Sequence, residues 1–173
     1  MSSTQLSERT RSLILTQIKN NIASAIGSIR SSRSDNTVST EVPNSQSYFI
    51  FDGAHTYQCP AIFCVVDSGE VPDEREQTNY VSAVIKVFVS AVVSGGTEAS
   101  VTIKAERYQA ALFKILHQTY ILDSTDNVKI YILCKRFQFS PLYTKSRKQD
   151  NMSDFRKEVA IELEVKHWEN PTS

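Results

Sequence analysis

The stretch from Asn79 to Val93 commits most firmly to one kind of structure. Val81, Ala83, Ile85, Val87, Val89, Ala91 and Val93 recur at every second position. A period of two puts all of them on one face of a long strand. Val84, Lys86, Phe88 and Ser90 alternate on the other face, which is therefore half exposed. A second run, Phe155 to Val165, alternates almost as cleanly. It turns Phe155, Val159, Ile161, Leu163 and Val165 inward and Arg156, Glu158, Glu162, Glu164 and Lys166 outward. A third, Val128 to Phe139, sets Val128, Ile130, Ile132 and Cys134 against Lys129, Tyr131, Leu133 and Lys135, and Pro141 ends it. Two shorter strands are expected at Tyr48 to Phe51, stopped by Asp52-Gly53, and at Ala61 to Val66.

Two segments change period. Leu15, Ile18, Ile22, Ile26 and Ile29 form one stripe at helical spacing, predicting a helix over about residues 5–30 with Ser7 as its cap and Glu8 in its first turn. Thr97 caps a second helix, with Glu98 near the positive end of its dipole. Its expected buried stripe is Val101, Ala105, Tyr108, Leu112, Ile115 and Thr119. A polar, serine-rich linker is expected at about 31–45, a polar turn at Asp123 to Asn127, and a flexible loop at about 143–153. Helix, strands, helix, strands, joined mostly by short connections, predict a single α+β domain over 1–173, a mostly antiparallel sheet with both helices on one face.

Lysine plus arginine equals aspartate plus glutamate, at 19 each. That balance argues against a chain whose task is to coat DNA or an anionic membrane. No apolar run reaches the length of a membrane span, and no secretory signal opens the sequence. Cys59, Cys64 and Cys134 are an odd number of thiols without a zinc-like spacing, expected to be reduced in a cytoplasm. His55 stands near two of them, His117 suits the end of a helix, and His167 lies on the last strand without an evident partner. Gly95-Gly96 before a helix lacks the lysine of a nucleotide loop. Glu162, Glu164 and Lys166, with Pro72-Asp73 far upstream, loosely match the signature of a magnesium-dependent restriction-like nuclease. Alternating charge on a solvated strand face produces the same pattern. No cofactor and no enzyme activity are expected.

The order of elements resembles that of tail terminator (tail completion) proteins of tailed bacteriophages. The resemblance is carried by LTQIKNNIASAI, AIFCVVDSGEVPDERE, VSAVIKVFVSAVV, ERYQAAL followed by HQTYILDS, RFQFSPL and RKEVAIELEVKHW. It implies a virion protein, assembled in the host cytoplasm, that forms a ring, usually a hexamer, at the head-proximal end of the tail. Such a ring ends tail tube polymerisation and offers the surface on which the head docks. Its partners would be its own copies, the tube protein, a head–tail connector protein and, in contractile tails, the sheath, while DNA passes through the lumen without specific binding. Another connector or neck position is the alternative. A small cytosolic dimeric regulator or chaperone is a rival from a different class, as is the nuclease. Within the ring reading, Ile18, Ile22, Tyr131 and Leu133 are candidate subunit contacts. Lys145, Arg147 and Lys148 are a candidate docking or lumen loop.

Overall fold

The last alternating run becomes the middle of the sheet. In a computed structural model, which describes residues 3–33, 38–50, 57–70, 81–125, 128–146 and 153–169, the chain forms two helices and seven strands. They are α1 (Ser3–Ser32), β1 (Tyr48–Phe49), β2 (Ala61–Glu70), β3 (Val81–Gly95), α2 (Glu98–Gln118), β4 (Ile121–Thr125), β5 (Val128–Phe139), β6 (Tyr143–Ser146) and β7 (Ser153–Glu169). The sheet runs β1-β2-β3-β7-β5-β4, and β6 continues beside β7 where β5 stops. Every pairing is antiparallel except β1 with β2, so the sheet is mixed. Alternation along a strand sets which face a residue takes and says nothing of direction, so the parallel pair was not readable from the sequence.

The predicted faces hold. Val87 pairs with Leu163, which pairs in turn with Cys134. The buried positions of β3 and β7 face both helices and share one core with Ile14, Ile18, Ile22, Leu112 and Leu116. The apolar stripe of α2 is buried from Val101 to Ile115 as expected, Thr119 being the half-buried C-cap, and Thr97 and Ser100 close a reciprocal capping box at its start. Serine here does what glutamate or glutamine usually does at that position. Gly95 makes the box possible. A Cβ there would lie 2.8 Å from Ser100 Oγ and 3.0 Å from Val101 Cγ2.

Several boundaries move. Helix α1 starts ahead of Ser7, which with Glu8 therefore lies inside the helix. The expected turn at Asp123 is strand β4, with a bulge between Ile121 and Asp123. The expected loop from residue 143 begins as strand β6, with Tyr143 opposite Arg156 and Thr144 opposite Phe155. Its polar side chains hid a strand that is held by backbone pairing.

The serine-rich linker starts two residues later than expected, after Ser32, and its described part is better anchored than its composition suggested. From Val38 to Glu41 it lies against α2, held by Arg107, Tyr108 and, one turn before them, Lys104. The Arg107 guanidinium donates to the Val38 carbonyl and, at 3.2 Å, to Thr40 Oγ1. Tyr108 donates its hydroxyl to the Glu41 carbonyl at 2.5 Å, and Lys104 reaches the Glu41 carboxylate at 3.0 Å. Arg107 is only 1% exposed, so these acceptors take the place of the water a guanidinium would otherwise hold.

Candidate functional site

Strand β5 is covered along only part of its outer edge. β4 pairs with residues 128–131, and the contact ends where the Ile132 amide donates to the Tyr120 carbonyl at 2.9 Å. Beyond that point, among the described residues, the backbone of β5 has a neighbour on the β7 side alone. Large apolar side chains line this open segment. Leu133 is 42% exposed, Phe137 50% and Phe139 37%, and the two phenylalanine rings meet edge to face at 6.0 Å. A folded chain normally covers such residues or places them where a partner will.

The opposite edge of the sheet repeats the arrangement. β1 covers β2 at Ile62 and Phe63, and among the described residues β2 has no outer partner from Cys64 onward. Asp67, Ser68, Gly69 and Glu70 are exposed there. A bulge interrupts each edge, between Val66 and Ser68 on β2 and between Cys134 and Arg136 on β5.

The face of the sheet away from the helices carries a ladder of charge. Lys86 lies 3.3 Å from Glu162 and 4.0 Å from Asp67, and Arg136 closes on Glu162 from the other side. Glu164 is held by Lys135 at 2.9 Å and Lys166 at 3.4 Å. Partial burial pushes the Glu162 carboxyl upward, but hydrogen bonds from Arg136 and Lys86 outweigh it and hold the group below its ordinary value. The hydrogen bond from Lys135 does most to lower Glu164. Each carboxylate of the Glu-x-Lys pattern is thus flanked by two cations. Among the described residues no cluster of histidine, cysteine, aspartate or glutamate is arranged to hold a metal ion. Beside the ladder the sheet curls into a concavity of about 540 Å³ lined by Tyr57, Phe63, Phe88, Val92, Gln138 and Glu158.

The sequence-predicted contacts separate into three groups. Ile18 and Ile22 are 0% and 1% exposed inside the chain's own core, so the neighbour that covers their stripe is the chain itself. Periodicity marked the stripe correctly and could not say which layer met it. Tyr131 is half-buried between the rings of Tyr120, at 5.3 Å, and Trp168, at 5.8 Å. Leu133 remains on the open edge. The basic loop is not brought to any site. Lys145 sits on β6 with its backbone opposite Asp154, and its side chain, together with Arg147 and Lys148, lies outside the described residues, as does His55.

The remaining candidates have local explanations. His117 stacks on Phe113 at 5.1 Å in the last turn of α2. His167 is fully buried, with Nε2 2.9 Å from the Thr10 hydroxyl, a partner 157 residues away. Burial pushes the Cys64 thiol up to about 12 and Cys134 up to about 11. Both are therefore poor nucleophiles at neutral pH. Among the described residues no helix is long and apolar enough to cross a membrane. Strict alternation puts Phe137 and Phe139 in phase with Leu133 and Lys135. The bulge after Cys134 turns them instead to the face of Ile161 and Val159, beyond the end of β4, where they stay exposed.

No family model matches the chain, and no curated protein matches it. A chain of the virion of a native gene transfer agent particle is similar to it over 88% of this chain and 91% of that one, at 10% identity and a TM-score of 0.33. A likeness that loose bears on neither fold nor role.

Proposed function

We propose that this chain is a structural subunit of a phage-like virion that forms a ring at the head-proximal end of the tail, ends tube polymerisation and presents the surface on which the head docks. The observation that carries this reading is the open segment of β5. Three large apolar side chains, Leu133, Phe137 and Phe139, stand exposed together along a stretch of β5 whose outer edge, among the described residues, has no neighbouring strand. The order of elements matches the tail terminator pattern, which supports the ring and its position. The function resides in contacts between copies and with tube and connector proteins, and the chain acts in the virion without catalysis.

The test is reconstitution. Purified chain is added to tube protein from the same genome while the tube is elongating, and tube length and ends are followed by electron microscopy. Expected are tubes that stop growing, each with extra density at one end. Tubes that elongate normally and bind no chain would refute the assignment. Magnesium-dependent cleavage of DNA that is lost in Glu164→Ala would replace it with the nuclease.

A further inference from the structure

We infer that copies of this chain join head to tail through their sheet edges, the open segment of β5 in one copy pairing antiparallel with the open segment of β2 in the next. The inference rests on the assembly reading above and specifies the contact that builds it.

Three observations converge on this pair of edges. The first is register. Ser68 pairs with Lys86, Lys86 with Glu164, and Glu164 with Leu133, so Ser68 and Leu133 stand on one level at opposite sides of the sheet. Cys64, through Val89 and Ile161, is level with Phe137. β1 closes β2 below Cys64 and β4 closes β5 before Ile132. Among the described residues the open stretches overlap from Cys64 to Ser68 on one edge and from Leu133 to Phe137 on the other. Beyond this overlap Glu70 is level with Tyr131, which β4 covers, and Phe139 with Ile62, which β1 covers. A neighbour related by rotation about an axis along the strands, with no shift along that axis, brings these windows together.

The second is direction. β2 runs antiparallel to β3, β3 to β7 and β7 to β5, so β2 and β5 point opposite ways within one subunit. Under the same rotation the neighbour's β2 meets β5 antiparallel, and the helix layers of successive copies stay on one side of a continuous sheet. Such a contact is heterologous, and without a shift along the axis it forms a ring when the repeated rotation closes.

The third is charge. The β5 window carries Lys135 and Arg136, and the β2 window carries Asp67, with Glu70 just beyond it. Arg136 and Asp67 keep 65% and 49% of their side chains exposed despite their contacts within the chain. Arg136, Ser68 and Glu70 share the helix-free face through their partners Glu162, Lys86 and Val84. Charges and bulges on an edge strand ordinarily discourage pairing. Opposite signs at the two edges make that discouragement selective. Two β5 edges would oppose cations to cations and two β2 edges carboxylates to carboxylates, which disfavours a two-fold dimer by either edge.

Cross-linking tests the contact. In antiparallel sheets directly opposed residues have Cα atoms about 4.5–5.5 Å apart, within the span a disulfide bridges. Under mild oxidation, Ser68→Cys/Leu133→Cys is expected to give a ladder of multimers ending at the ring, against the wild-type chain as blank for Cys59, Cys64 and Cys134. Neither single variant should form the ladder. Dimers from Leu133→Cys alone would overturn the inference in favour of two-fold pairing. Asp67→Lys is expected to abolish the ring, and adding Lys135→Glu and Arg136→Glu to restore it, with thermal melts confirming that each variant folds. A ring that forms regardless of these substitutions and is not cross-linked overturns the edge contact and leaves the assembly reading standing. A chain that forms no multimer under oxidation, at high concentration or on tubes overturns both.

Discussion

Removing the Arg107 side chain should loosen the segment that precedes the sheet far more than its position on an arginine-containing helix suggests. The guanidinium is almost fully buried and donates to the Val38 carbonyl and the Thr40 hydroxyl. Hydrogen bonds from a charged donor contribute about 1.5–3 kcal/mol each. Two of them give roughly 3–6 kcal/mol, from which the relief of no longer burying a charge must be subtracted. The expected cost of Arg107→Ala is therefore about 2–4 kcal/mol, or about 4–16 °C in Tm for a chain this size. Lys104→Ala provides the contrast. Its carboxylate partner Glu41 is half exposed and its second acceptor is the Ser94 carbonyl at 3.1 Å, so the loss should stay below that of Arg107→Ala, at about 1–2 kcal/mol. Urea unfolding followed by circular dichroism measures both, and hydrogen exchange at Thr40 and Glu41 reports the local release. An Arg107→Ala variant within about 0.5 kcal/mol of the parent, or a Lys104→Ala variant that costs more, would show that the strap does not depend on the buried guanidinium.

Three further outcomes follow from the same structure. Ile161→Ala, at a site 1% exposed, should cost about 2–5 kcal/mol in urea unfolding, as expected for a cavity in the shared core. Glu162 has a folded-state pKa below its ordinary 4.5. Its contribution to stability is present above that value and is lost as pH falls through the lowered pKa, so an acid titration of stability should flatten below pH 4.5 in Glu162→Gln. Gly95→Ala should cost about 1 kcal/mol, the usual value of a helix cap, because its Cβ would collide with Ser100 Oγ. The two changes should be less than additive when Ser100→Ala is present, which thermal melts of the four combinations would reveal.

Much of the fold was legible because alternation and helical spacing are direct consequences of burying one face. The period of β3 and β7 named the buried residues Ala83 to Val93 and Val159 to Val165, and Thr97 marked the start of α2. Phe155 is half-buried, Ser90 and Arg156 on the other face are buried as well, and the Val81 side chain lies outside the described residues. What escaped was whatever depends on a distant partner. β4 buries Leu122 beside the polar Asp123 and Ser124, so local pattern read a turn where pairing with β5 makes a strand. β6 has the same character, its ladder supplied by β7. The two-residue β1 takes its direction from β2 alone. The candidate surface was half visible. Leu133 was marked as exposed, yet the open backbone beside it follows from where β4 stops, which no residue of β5 encodes. Arg107 lay hidden in plain view beside the stripe of α2, since a lone arginine on a helix ordinarily reads as solvated.

The central place of β7 also constrains the order of events during synthesis. β7 leaves the ribosome after β3 and β5, the two strands it separates. Until it arrives, each of those strands lacks its inner neighbour, and α2 has no complete floor to pack on. The nascent chain therefore cannot present the finished windows on β2 and β5 at their matched levels, because β7 sets the spacing between them. Contacts this distant in sequence also make closure of the sheet slow relative to helix formation. In the assembly proposed above, translation would thus act as a timer, since the two edge windows reach their matched levels only once β7 is in place.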